Sequence, residues 1–230
     1  MAILHRRLAI LLIATAGAAQ AAPYCGELDN AYGPFDYRTR ADKLNVVETY
    51  HFTDEVKHGI GRSYTSIGSN LDYTLRAFPN HAPALAVMAK TGLLKKKYKV
   101  PGAKYAVECY FERAVRFAPD DGQARAAYGG YLYGMGRLDE ALARYDEAVQ
   151  LMPNDAAVNY NAGLLYFKKK NYEAANRLAQ KAYSLGFPLP GLKNMLVSSG
   201  KWQPLPETAD KPETTTPAET TEPLESAAAE

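Results

Sequence analysis

The side chains best placed to do covalent chemistry are two cysteines, Cys25 and Cys109, the only thiols in 230 residues and separated by 84 positions. In an oxidising compartment they can pair, and closing a loop of that length stabilises a fold by about 4 to 5 kcal/mol by restricting the unfolded chain. The alternative is Cys109 as a small buried residue and Cys25 as a free thiol; without a CxxC pair, neither suits redox catalysis. His51 and His58 could share a helix face, but two histidines do not fill a zinc site, so they read as solvated surface. His81, which follows Pro79 and Asn80, reads as structural. The glycines of the run from Gly129 to Gly136 do not form a phosphate loop, and no GxSxG or HExxH occurs. Nothing pairs a nucleophile with a base, so neither catalysis, a metal nor any cofactor is expected.

Composition narrows the class further. With 47% hydrophobic and 23% charged residues and a formal net charge of +2, the chain is no disulfide-dense miniprotein, coiled-coil rod or strongly basic nucleic-acid binder. The average conceals three segments. Residues 1–21 place Arg6 and Arg7 before the apolar run from Leu8 to Ala14, then end in Ala19-Gln20-Ala21, the order of a secretory signal peptide cut after Ala21. His5 and Ala9 do not fit a twin-arginine signal, and Ala22-Pro23-Tyr24 does not fit a lipoprotein signal. The apolar run is shorter than the roughly 20 residues of a membrane span. A soluble periplasmic protein without a transmembrane segment in its mature chain is therefore expected.

The segment 203–230 holds seven acidic residues, one Lys, five Pro and six Thr, and is expected to be disordered because it has too little apolar surface to offset its ordering entropy. Without the leader and tail, the folded part carries a charge of about +6 against about −6 on the tail. Such a tail either masks a basic face or meets a partner, or serves as a solvated spacer.

Residues 22–202 contain a 34-residue repeat. Ala114, Ala148 and Ala182 keep this step, as do Val107, Ala141 and Ala175, Phe111 and Tyr145, Gly129 and Gly163, Pro119 and Pro153, and Tyr98, Leu132 and Tyr166. Small residues let paired helices approach while Tyr98, Phe111, Tyr128, Tyr145 and Tyr166 fill the space beside them. Gly102 and Gly136 suit the turn within a unit. Pro119 and Pro153 stop a helix, and Asp121 and Asp155 cap the next. The pattern resembles the tetratricopeptide repeat family.

That resemblance implies an all-α, right-handed α-solenoid of helix pairs. Clear repeats fall at 88–121, 122–155 and 156–189, a degenerate one at 53–81 and a cap at 190–202, giving a helical domain over 53–202. The helix after Pro83 is expected to reach Tyr98. Residues 22–52 form an N-terminal arm whose aromatic turn, Tyr32 to Tyr37, covers the first repeat.

The resemblance also places the first helix of each repeat on a concave groove, where Ala126, Tyr133, Tyr160, Leu164 and Phe167 are candidate binding residues with Lys96 and Lys99 from the first repeat. Only Asn161 matches the carboxylate clamp of the family. Tyr133 and Tyr160 alternatively belong to interhelix core. The lysines at 95–97 and 168–170 end helices, where cations complement the carbonyl dipole. The expected function is an exported, non-catalytic module holding an envelope protein or peptide in this groove. The competing reading is a carrier of an apolar lipid or sterol-like molecule.

Overall fold

The computed structural model describes residues 25–60, 67–94, 96 and 98–204. The expected leader 1–21, and the tail beyond Pro204, lie outside them. All regular structure among the described residues is helical, as ten helices. The chain divides into two compact units, Met1–Pro119 and Asp120–Glu230, and the division falls beside the junction of the first and second expected clear repeats.

The first unit contains α1 (Ala41–His51), α2 (Asp54–Lys57), α3 (Ile67–Ala77), α4 (Ala82–Leu94) and α5 (Val107–Phe117). Helix α1 falls in the expected N-terminal arm; only its Val47 is buried, too little apolar patterning to reveal a helix in the sequence. The aromatic turn does cover the α3–α4 corner. Phe35 N donates to Ala77 O at 2.8 Å, Tyr37 N donates to Asn80 Oδ1 at 3.0 Å, and the Tyr37 ring lies 4.2 Å from that of His81. Gly33, at φ +99°, passes so near Ala77 that a Cβ would meet its carbonyl oxygen at 2.5 Å.

Helix α4 stops at Leu94, four residues short of the expected end. Lys96 takes a left-handed φ of 47° and Gly102 one of 88°, so the chain turns away instead of extending the helix. Tyr98 is consequently 68% exposed and does not fill an interhelix space. Asp72 on α3 pins this loop by accepting from Lys104 N at 3.0 Å and Tyr110 Oη at 2.5 Å. Burial then pushes the Tyr110 phenol far above its usual range.

The cysteines pair: Cys25 and Cys109 have sulfurs 2.08 Å apart and Cα atoms 5.1 Å apart. Beside them the buried Arg113 donates from Nη1 to Glu27 O at 2.5 Å and Cys25 O at 3.2 Å, with its guanidinium 4.7 Å from the Tyr105 ring centre. Backbone carbonyls and an aromatic face thus offset part of the cost of burying this cation.

The second unit contains α6 (Gly122–Gly134), α7 (Leu138–Leu151), α8 (Ala156–Lys168), α9 (Tyr172–Ser184) and α10 (Gly191–Ser198). Helices α6 and α7 form one pair, α8 and α9 a second that stacks on it through α7, and α10 caps α8 and α9. Asp121 accepts from Gln123 N and Ala124 N at 2.9 and 3.1 Å, and Asp155 from Val158 N at 2.9 Å, capping α6 and α8.

Close approach requires the small residues. A Cβ on Gly129 would meet the Tyr145 ring at 2.7 Å, and one on Gly163 would meet Leu192 at 2.6 Å. Gly136 makes the first turn at φ 79°, and Lys170, 34 positions on, makes the second at φ 60° despite its side chain. Leu192 and Leu196 on α10 are fully buried, each contributing about 2 kcal/mol through apolar burial.

Candidate functional site

The second unit carries a cleft lined by Tyr133 of α6, Tyr145 of α7, and Asn161, Leu164, Leu165 and Lys168 of α8. Helical periodicity explains the α8 contribution: Asn161, Leu164, Leu165 and Lys168 follow one another at three- and four-residue steps along one stripe. Tyr145 and Leu165 are 7% and 3% exposed and belong to the core beneath the cleft, while Tyr133 is 41% exposed on its rim. Opposite Tyr133, the Lys168 ammonium lies 5.6 Å from its ring centre, within cation–π range.

These groups can bind but have no arrangement for bond making. The half-buried Asn161 amide has no hydrogen-bonding partner among the described residues, leaving two donors and an acceptor for a ligand. Burial pushes the Tyr145 phenol up to about 12, so it stays neutral at physiological pH. Leu164 supplies an apolar contact and Lys168 a positive charge. The cleft holds no carboxylate, thiol or imidazole to act as a base or nucleophile.

Size decides between ligand classes. The cleft encloses about 80 Å³, against roughly 300 to 1,000 Å³ for sites that envelop small molecules. It has room for part of a side chain or a stretch of backbone, but does not envelop a lipid.

The residues expected in the groove fare differently. Tyr133 and Leu164 come together in the cleft, beside Asn161. Ala126 is partly exposed about two turns before Tyr133 on α6. Phe167 is half-buried, with its ring 5.5 Å from that of Tyr172 on α9.

Tyr160 is not open surface. It is 8% exposed and packs in the core with Leu192 and Leu196, because the chain after α9 folds back and stacks Phe187 on its ring at 4.1 Å. Lys96 and Lys99 lie in the first unit, beyond the end of α4, and do not extend a helical binding stripe. The 34-residue step from Phe111 to Tyr145 marked Tyr145 as an interhelix residue, but nothing in it showed that the ring also floors a cleft. Lys168 stood out in the sequence only as a helix-ending cation.

Among the described residues no group of histidine, cysteine, aspartate or glutamate could hold a metal ion, and no helix is long and apolar enough to cross a membrane.

Residues 131–170 match the TPR repeat family, a span containing all six cleft residues. Over 47 residues the chain is 40% identical to the Hsp70-Hsp90 organising protein of Plasmodium falciparum (isolate 3D7); that stretch is 20% of this chain and 8% of the relative, a small part of its length. Similar solved structures include MamA MSR-1 C2, at 21% identity and a TM-score of 0.42, covering 66% of this chain and 80% of the other. Another is a MamA RS-1 ArsTM double mutant, at 18% identity and a TM-score of 0.41, covering 63% and 83%.

Proposed function

We propose that this chain is an exported, non-catalytic protein-binding module that holds a segment of an envelope protein or peptide against the cleft between α6 and α8. The observation that carries the reading is the coincidence of the cleft with the repeat match. All six lining residues fall within 131–170, and they include an unpartnered amide, an exposed phenol and an exposed ammonium.

A protein segment fits the cleft's chemistry. Asn161 can pair with a peptide group through both halves of its amide, Leu164 and the Tyr133 ring can flank an apolar side chain, and Lys168 favours a partner with nearby negative charge. Tyr is enriched among residues that dominate binding energy at protein interfaces. The relative named as an organising protein, though matched over one short stretch, is in keeping with a scaffold role.

Export to the periplasm rests on the leader pattern from Arg6 to Ala21 and on the Cys25–Cys109 disulfide, since such bonds persist in oxidising compartments.

The binding reading is tested by parallel affinity capture from an envelope extract with the wild-type chain and a Tyr133→Ala/Leu164→Ala variant. Proteins retained by the wild type are expected to fall about tenfold with the variant, the size of effect of losing a binding hot spot, while helical circular dichroism is unchanged. Equal capture by two folded proteins removes the cleft from the account.

A further inference from the structure

The second unit has a strongly asymmetric charge distribution. Residues 156–204 contain seven lysines and arginines but a single acidic residue, Glu173. Lys168 belongs to the cleft, and Lys169 is paired with Asp139 at 2.7 Å. The remaining five, Lys170, Arg177, Lys181, Lys193 and Lys201, have no carboxylate partner among the described residues.

The described chain ends against the middle of this basic region. Asn176 on α9 clamps the Gln203 backbone, donating from Nδ2 to Gln203 O at 2.6 Å and accepting from Gln203 N at 3.1 Å. Gln180 Nε2, one turn further on, donates to the same carbonyl at 2.9 Å. Lys201 and Lys193 flank this exit, with ammonium groups 5.5 Å from the Tyr172 ring and 5.3 Å from the Trp202 ring. Arg177 and Lys181 form an i, i+4 pair adjoining Asn176 and Gln180 on α9. The next 26 residues, 205–230, carry seven acidic side chains and one lysine.

We propose that residues 205–230 dock on the basic face formed by Lys170, α9, α10 and Lys201, as an intramolecular occupant of that face. The fixed exit at Gln203 gives the acidic segment a high effective concentration beside the cations. Reach is not limiting: ten extended residues span about 33 Å, whereas the 13-residue α9 is about 20 Å long. Five unpaired cations face seven acids, and no other acidic residue of 156–204 except Glu173 competes for them. The inference stands apart from the cleft reading, because none of its five cations lines the cleft.

Zero-length carbodiimide cross-linking of the full chain, followed by peptide mass spectrometry, tests the docking. The Lys169–Asp139 pair serves as an internal control for the reagent. The expected products join Glu219, Glu222 or Glu225 to Lys170, Lys181 or Lys193 within one chain, as shown by mixing isotopically light and heavy protein.

Their yield should fall about tenfold in 0.5 M salt, where the screening length shrinks to a few ångströms. A Lys181→Glu/Lys193→Glu variant should also lose the product at Lys170. The proposal is overturned if these acids couple equally to lysines of the first unit such as Lys43 and Lys90, couple only between chains, keep their yield in salt or after charge reversal, or give no product while the control pair does.

Discussion

The Lys168 ammonium of α8 lies 5.6 Å from the centre of the Tyr133 ring of α6, joining α6 to the helix that carries the Asn161 amide. The pair offers a bound segment an aromatic contact with a charged one held beside it. Replacing Tyr133 by Ala removes the aromatic contact and the ring that holds the ammonium in place. Loss of about 1 to 2 kcal/mol of partner affinity is expected, roughly a tenfold weakening or more, with little change in melting temperature because the ring is 41% exposed. Isothermal titration with a captured partner, alongside thermal denaturation, separates the two effects.

Gly129→Ala should act in the opposite sense, on stability. The new Cβ would stand 2.7 Å from the Tyr145 ring and 3.2 Å from the Ala141 carbonyl oxygen, so α6 and α7 must separate or the ring must shift. A cost of about 1 to 3 kcal/mol is expected, read as a lower urea midpoint.

Lys170→Gly should stabilise the second unit. Lys170 holds a left-handed φ of 60° at the position equivalent to Gly136, whose φ is 79°. Relieving that conformation is expected to contribute about 1 kcal/mol, detectable as a raised melting temperature. Lys170→Ala, which keeps a Cβ, should not reproduce the gain.

These turns show how far the amino-acid pattern reaches. Gly129, Gly163, Asp121 and Asp155 announced close helix approach and caps because each has a local physical requirement that few other residues meet. The end of α4 was not legible: the lysines around Lys96 are good helix formers, and only the left-handed turn at Lys96 reveals the stop. Tyr160 and Tyr133 both lie on first helices of their repeats, two turns apart in repeat position since Tyr160 follows Ala126 and Tyr133 precedes Phe167 by 34 residues, yet one is buried and the other is not. The difference comes from Phe187, a neighbour brought back by chain reversal after α9, which no periodicity encodes.

His81 should make the first unit acid-sensitive. Its Nδ1 accepts from Ala84 N at 3.1 Å, which leaves Nε2 as the protonated nitrogen, 3.2 Å from Glu48 Oε1. Burial, reinforced by Lys57 and opposed by Glu48, lowers its pKa from 6.5 to about 4. The unfolded state therefore binds the extra proton first, and stability falls as pH drops from about 6.5 to 4. His81→Gln, with no proton to gain, should flatten that part of the pH–stability curve measured by urea denaturation.

Reduction should loosen the first unit. Opening Cys25–Cys109 restores the freedom of a loop with a sequence separation of 84, at a cost of about 4 to 5 kcal/mol. A Cys25→Ser/Cys109→Ser chain is expected to show a matching fall in stability, and hydrogen exchange should rise at residues 25–27, whose carbonyls Arg113 and Arg116 hold. Exchange unchanged in that segment would mean that the arginines alone secure it.

The most direct test of the cleft as a protein-binding site is site-specific photo-cross-linking in the native envelope. A photoreactive phenylalanine analogue replaces Tyr133 in one variant and the exposed Ala143 of α7 in a control. The account predicts a discrete heavier adduct containing a second protein from position 133 and none from 143. No adduct from position 133 in a folded, expressed chain, or the same adducts from both positions, would contradict it.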